Sequence, residues 1–292
     1  MIKRDNKKPI GVMTVVVYII LGVVGVIVFY PFYNAVLVSI VGRKEYVQTP
    51  FMLFPKNITF DSYKYLFEDG SVLKGYRSTL FIVLFGVPYN LLLCTSLAYA
   101  MSRPKFPGKA IINTVIILTM YFNGGIIPMY LLMRYMGLLS SLWSVILVYG
   151  VNAYNMIIMR NFFRSIPESI EESARIDGAN DIVIMFRIVL PLSKPIIATI
   201  LLFFLVDRWN EWYYAMVFLR DNNKWPLQVV LRNIVNQPLM DFTVSTSALR
   251  GSTYSESIKM AAVVITMLPV MLVYPFMQKY FMKGIMLGGV KS

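Results

Sequence analysis

Histidine is absent from the 292 residues, and cysteine occurs once. Without histidine there is no Ser-His-Asp or Cys-His catalysis, no His-ligated zinc and no imidazole pH switch. The single cysteine, Cys94, sits inside an apolar run, which excludes a disulfide framework and a cysteine-based metal site. Charge is scarce as well: 15% of residues are charged, against about 25% in soluble domains. No G-x-x-x-x-G-K-[ST] stretch is present, so the chain has no P-loop of its own with which to hold ATP.

What is abundant is apolar surface. Hydrophobic residues make up 57% of the chain, and the mean hydropathy is +0.62. Several runs reach the roughly 20 residues needed to cross about 30 Å of hydrocarbon. The composition predicts an all-α, polytopic membrane protein. The net charge of +13 does not signal a nucleic-acid partner, because the basic residues gather in short connectors, as the positive-inside rule describes. The opening "MIKRDNKKPIGVMTVVVYIILGVVGVIVFYPF" starts as a secretory signal does, but a signal has an apolar core of about 7–15 residues and a small-residue cleavage site. Here the run continues to Ile40 without such a site, so it is expected to stay as a first span.

Six spans fit the hydropathy, at roughly 11–40, 77–101, 110–133, 140–162, 196–219 and 257–281. Lys3, Arg4, Lys7 and Lys8 precede the first, and Arg103, Lys105 and Lys109 follow the second. Arg160, Arg164, Arg175, Arg187 and Lys194 separate the fourth from the fifth, and Lys279, Lys283 and Lys291 close the chain. With the N-terminus in the cytoplasm these all fall on the cytoplasmic side, and so do both termini. Two longer, mixed-charge loops, near 41–76 and 220–256, fall on the other side. No internal repeat is visible, and residues 1–292 read as one transmembrane domain. "MYFNGGIIPMYLLMRYMGL" marks a bent or broken helix, either lining a cavity or merely kinked.

Between the fourth and fifth spans lies "SIPESIEESARIDGANDIVIMFRIVLPLSKP", residues 165–195. Ser165 and Glu168 have the S-x-x-E spacing of a capping box, with Pro167 in the first turn. Glu168, Glu171 and Glu172 load that end with the charge a helix dipole favours. The helix is expected to end near Asp177, with Gly178 left-handed, and a second helix to start near Asn180 or Asp181. Ile166, Ile170 and Ala174 recur every four positions and form one stripe. Such a helix either enters a groove on a partner or lies on lipid headgroups.

The same stretch resembles the cytoplasmic loop of binding-protein-dependent ABC importer permeases, whose pattern is E-A-A-x-x-x-G, about nine further residues, then I-x-L-P. Here it reads Glu172, Ser173, Ala174, Gly178, then Ile188, Val189, Leu190 and Pro191, with Ser173 in place of alanine. "LAYAMSRPKFPGK", "WNEW" and "QKYFMKGIMLGGVKS" resemble other parts of the family, so the likeness covers nearly the whole chain. It is nearest to the second permease of maltose-type and complex-polysaccharide importers. The resemblance implies a type I importer permease fold and a coupling helix that docks in a cleft of a separate ATPase subunit. Gly178 would set its turn, Ala174 would allow close approach, and Glu171, Glu172, Ser173, Arg175, Asp177, Leu190 and Pro191 would complete the element. It also implies a homologous second permease, two ATPase subunits carrying ATP and magnesium, an extracytoplasmic solute-binding protein, a sugar cargo and a bacterial cytoplasmic membrane. No cofactor is expected in this chain.

The fifth span carries "LVDRWNEWYYAMVF". Asp207, Arg208 and Glu211 each cost about 2.5–3.5 kcal/mol at a bilayer centre on insertion scales. They are therefore expected to face the bundle interior or a wet cavity, with Asp207 or Glu211 pairing with Arg208. Trp209, Asn210, Trp212, Tyr213 and Tyr214 offer amides and flat faces suited to sugar hydroxyls and C–H surfaces. The alternatives are an interfacial aromatic belt and a structural ion-pair lock. Asn152, Tyr154 and Asn155 in the fourth span, and Tyr121, Phe122 and Asn123 in the third, are further pathway candidates, and the 220–256 loop is a candidate contact for the binding protein. An ion-coupled secondary transporter is the main alternative, but it leaves the 172–191 pattern unexplained. An integral-membrane enzyme has no paired catalytic motif to draw on.

Overall fold

The computed structural model describes residues 12–49, 52–104, 106–236 and 255–289. Lys3, Arg4, Lys7, Lys8, Lys105, Lys291 and the 237–254 part of the expected outer loop lie outside the described residues. Among those described, helix is the regular structure, apart from one isolated antiparallel bridge between Val41 and Ile58. The chain forms two compact units, Met1–Glu68 with Gln237–Ile265, and Asp69–Asn236 with Thr266–Ser292.

The first unit begins with α1 (Val12–Ser39), which is apolar on every side. Its side chains are exposed as far as Phe32, and burial begins only in the last turns, at Ala35, Leu37, Val38 and Ser39. A helix apolar all round belongs in lipid or against another chain. Helices α2 (Arg43–Gln48) and α3 (Asp61–Glu68) follow. The turn between them is tied down by Glu45, whose carboxylate accepts from the Lys56 amide at 2.5 Å and the Asn57 amide at 2.9 Å.

The second unit is built on α4 (Ser71–Ser102), whose 32 residues run about 48 Å at 1.5 Å per residue. Helices α5 (Lys109–Tyr121) and α6 (Ile126–Tyr135) meet at 113°. Then come α7 (Leu142–Leu147), α8 (Ala153–Arg164), α9 (Glu168–Ile176) and α10 (Asp181–Ile184). A π-helical turn, Met185–Val189, leads to α11 (Leu190–Leu192), α12 (Lys194–Trp209), α13 (Tyr213–Phe218) and α14 (Leu227–Asn236). Helix α15 (Ser255–Gly289) ends the described chain. The core of this unit lies where α4, α8 and α12 meet, around Cys94, Ala98, Met156, Met159, Phe163, Ile200 and Phe204.

Among the described residues three segments are single helices long and apolar enough to cross a membrane: α1, α4 and the Glu256–Pro275 part of α15. Counting the bent pairs α5–α6 and α10–α12 as one span each gives five. The expected fourth span, 140–162, is two short helices separated at 148–152, and the fifth is interrupted at 210–212 between α12 and α13. Both breaks have a local cause. Asn152 caps the start of α8 by accepting from the Asn155 amide at 3.0 Å, so the chain before it cannot be helical. Glu211 does the same for the first turn of α13.

Candidate functional site

The two helix breaks face each other and enclose a cavity of about 500 Å³. Its walls are the 148–152 segment, the end of α12 and the 210–213 segment, with Asn90 of α4 alongside. Broken helix inside a membrane frees backbone groups that need new partners. Asn90 takes two of them: its Nδ2 donates to the Tyr149 carbonyl at 2.5 Å and to the Gly150 carbonyl at 2.8 Å. Glu211 takes two more, accepting from the Tyr214 amide at 2.9 Å and the Ala215 amide at 3.3 Å. Its second oxygen accepts from the Tyr149 hydroxyl at 2.5 Å.

Arg208 is 4% exposed and lies flat on the Tyr149 ring, with the guanidinium carbon 3.5 Å from the centroid. Helix α4 makes room for it at Gly86, where a Cβ would come within 3.2 Å of the Arg208 Cδ. The expected ion pair with Asp207 or Glu211 does not form: among the described residues Arg208 has no carboxylate partner. Glu211 is drawn instead to the α13 amides and the Tyr149 hydroxyl, and Asp207 lines the cavity without an ion-pair partner among the described residues. A cation–π contact is worth about 0.5–2 kcal/mol, less than the several kcal/mol lost on burying an ion. Arg208 Nε and Nη1 are buried without a hydrogen-bond acceptor, although the residue itself lines the cavity.

The other expected pathway residues divide. Asn152, Asp207, Asn210 and Trp212 line the same cavity. Arg232 stacks over Trp212 at 4.1 Å, and Asn210 accepts from Gln228 at 2.9 Å. Asn155 is buried and lines a neighbouring cavity of about 480 Å³ with Asp207 and Tyr154. Trp209 is turned away: its indole donates to the Thr266 carbonyl at 3.2 Å and meets Tyr76 edge-on. Tyr121 and Asn123 stand exposed at the α5–α6 bend and line none of these cavities. Asn90 and Tyr149 are central to the site but were not among the residues expected from sequence. A lone amide in the apolar run "VPYNLLL" was the available signal for Asn90.

At the far end of α4 the 165–195 stretch forms a helical hairpin. The expected capping box is absent, because Ser165 closes α8 instead. Its amide and hydroxyl both donate to the Phe162 carbonyl, at 3.0 and 2.7 Å, and Pro167 takes the N-cap position of α9. The free carbonyls at the end of one helix outcompete the amides at the start of the next. The end of α9 is as expected. Gly178 has φ +83°, its amide donates to Arg175 O at 3.0 Å, and the Ala179 amide donates to Ala174 O at 2.9 Å, a Schellman motif. Asn180 then caps α10, accepting from the Val183 amide at 2.9 Å.

The expected stripe splits between the two faces of α9. Ile166 and Ala174 pack inward on the chain's own core, so Ala174 does not belong to the outer face. Glu171 is buried as well and forms an ion pair with Arg103, which lies over the Tyr99 ring at the end of α4. The outer face carries Ile170, Glu172, Ser173, Asp177 and Ile176, the last 87% exposed. Arg175 pairs with Asp181 at 2.5 Å across the hairpin. Leu190 packs on the core, and Pro191 is exposed just after the π turn.

The family model described as binding-protein-dependent transport system inner membrane component matches residues 70–286. "Protein LplC" of Bacillus subtilis (strain 168) is 38% identical over 98% of this chain and 97% of its own length. The polygalacturonan/rhamnogalacturonan transport system permease protein YtcP of the same organism is 41% identical over 90% of this chain and 92% of its own. In the crystal structure of a bacterial ABC transporter involved in import of the acidic polysaccharide alginate, one chain superposes with a TM-score of 0.85. Its identity is 35%, over 96% of this chain and 100% of that one.

Proposed function

Because the chain belongs to the family of binding-protein-dependent transport system inner membrane components, we propose that it is a permease subunit of an ATP-driven importer for oligosaccharides or polysaccharide-derived sugars. A saccharide cargo is supported by the relative named for polygalacturonan/rhamnogalacturonan transport and by the likeness to the alginate importer. The subunit works with a homologous second permease, two ATPase subunits that carry ATP and magnesium, and an extracytoplasmic solute-binding protein. It performs no covalent chemistry and holds no cofactor of its own. Residues 1–292 act as one permease with six crossings and both termini in the cytoplasm of a bacterial cell. In this arrangement the fourth crossing joins α7 to α8, and the fifth joins α12 to α13.

The observation that carries this reading is the α9–α10 hairpin. The residues matching the family pattern fold into a rigid, exposed turn, pinned at Gly178 and Asn180 and offering Glu172, Ser173, Ile176 and Asp177 outward. The ATPase subunit grips that face. Glu171 and Arg103 then carry the displacement into α4, the same helix that supplies Asn90 to the cavity and seats Arg208 at Gly86. Packed elements move as units, so a shift at the hairpin reaches the cavity walls as a rigid-body rearrangement. In the cavity, Asn152, Asp207, Arg208, Asn210 and Trp212 contact the passing sugar.

The test is reconstitution of the chain with its partners, comparing wild type with Gly178→Asp for ATPase stimulation by loaded binding protein and for sugar uptake. A Cβ at Gly178 meets open space, but its φ of +83° strains any L side chain, so the comparison is made only on variant complexes that assemble in the membrane, where the change places a second carboxylate beside Asp177 at the grip. Collapse of both stimulation and uptake in an assembled complex is the expected result. Unchanged uptake, or uptake without any ATPase present, overturns the reading in favour of a self-contained transporter.

A further inference from the structure

At the opposite end of α4 from the hairpin lies a second cavity, of about 580 Å³, a volume within the range of small-ligand sites. Its rim carries Lys74 and Arg77 of α4 and Lys224 of the 222–224 turn, against one carboxylate, Asp221. None of the three cations forms an ion pair among the described residues. Lys74 donates to the Asn223 side-chain oxygen at 2.8 Å and Lys224 to the Ser140 carbonyl at 2.7 Å, both neutral acceptors. Each ammonium therefore keeps two further donors. Asp221 is already engaged by the Asn223 amide at 2.9 Å and the Asn223 side chain at 3.1 Å.

The same cavity has an aromatic wall. Trp143 is 43% exposed, and its indole is held edge-on to Phe81 at 5.6 Å and tilted against Phe85 at 5.6 Å. A fixed indole beside three cations and a single carboxylate, a net excess of positive charge, suits a ligand with both a flat C–H face and an anionic group. A pyranose uronate is such a unit: the ring stacks on Trp143, and the carboxylate takes the forked donors of Arg77 with a lysine beside it. A neutral sugar would use only the stacking, and an inorganic or lipid phosphate only the cations.

We propose that this cavity is a binding site for acidic sugar units on the outer face of the permease. The placement rests on the proposed function, because the stretch of α4 from Arg77 to Ser102 separates the cavity from the hairpin by about 38 Å. If the hairpin faces the ATPase, the cavity faces the side on which cargo is delivered. A uronate held there would be retained close to the translocation path while the rest of the oligosaccharide is threaded inward.

The experiment uses the complete importer in phosphatidylcholine nanodiscs, without binding protein, titrated calorimetrically with trigalacturonate and with maltotriose. Trigalacturonate is expected to bind wild type, and to bind about tenfold more weakly, or less, in Arg77→Gln, in Trp143→Leu and in about 1 M salt, where the screening length is about 3 Å. Maltotriose is expected to bind at least about tenfold more weakly than trigalacturonate. Arg77 has an exposed side chain with no partner among the described residues, so its replacement leaves the fold intact, as basal ATPase activity will report. Equal binding of the two sugars, or binding indifferent to both substitutions, overturns the site. So does loss of wild-type trigalacturonate binding when phosphatidylglycerol is added to the discs, which makes a lipid headgroup the occupant. Uptake with binding protein present is read separately: failure to import any saccharide overturns the permease reading and leaves the cavity result to stand by itself.

Discussion

Asn90 shows how much one side chain does at a broken span. Its NH₂ group is the sole side-chain donor to both the Tyr149 and Gly150 carbonyls among the described residues. A buried acceptor left without a donor costs about 1–3 kcal/mol. Asn90→Leu removes both bonds and fills the space with an apolar branch, so the purified complex should lose about 2 kcal/mol or more, read as a lower apparent Tm. Asn90→Ala removes the same bonds but leaves room for water, which satisfies carbonyls nearly as well as protein does. The alanine variant should therefore be the milder of the two, although leucine is the more lipid-compatible residue. The opposite order would mean that packing at this position outweighs the carbonyls. Arg208 illustrates a different limit on reading single residues. Its charge and its place in an apolar run were legible, but its partner was not. Glu211 lies three residues on, the natural helical neighbour, yet the helix stops at Trp209 and the carboxylate swings to α13.

At the scale of elements, the hairpin divides into a legible half and an illegible one. Gly178 and Asn180 were readable because left-handed ends and side-chain caps depend on neighbours a few residues away. Ser165 misled because two helix ends compete for it, and sequence spacing does not say which wins. The inward turn of Glu171 and Ala174 was invisible for a similar reason: it is fixed by Arg103, 68 residues earlier. That ion pair is the one charged tie between α9 and α4 among the described residues; Glu171 is buried and Arg103 partly so, with side-chain exposures of 4% and 18%. Removing one partner of a buried pair strands a charge and costs about 3–5 kcal/mol, whereas replacing both by apolar groups is often close to neutral. Arg103→Leu and Glu171→Leu should each lower the Tm of the complex by more than the double variant does. Transport separates stability from transmission. If the pair conveys motion, the double variant regains its Tm but still hydrolyses ATP with reduced uptake. Full uptake in the double variant would reduce the pair to a structural tie.

For the molecule as a whole, the number of crossings decides what every cavity faces. Hydropathy suggested six, yet among the described residues three helices pass as uninterrupted spans and bent pairs raise the count to five. The missing crossing is not short of chain. Residues 142–164 and 194–218 are each long enough, at about 1.5 Å per residue, to cover about 30 Å. They fail as single helices because Asn152 and Glu211 restart the chain midway, and the cavity sits where they do so. Hydropathy measures how oily a segment is and does not register where its hydrogen bonding is interrupted, so it located the span and missed the site. The proposed six-span arrangement has a consequence for sidedness. With α4 crossing the membrane, Asp69, before its first turn, and Ile176, in the hairpin tied to its last, lie on opposite faces. Asp69→Cys and Ile176→Cys test this directly with a membrane-impermeant maleimide. The native Cys94 is 0% exposed and adds no background. Asp69→Cys should label in intact cells and Ile176→Cys only in inside-out vesicles. Loss of the Ile176→Cys signal on adding ATPase subunits would further locate the grip on the outer face of α9. Labelling of both sites from one side would mean that α4 does not cross, and would remove the basis for the six-span arrangement, for the outer cavity and for the path from hairpin to Arg208 together.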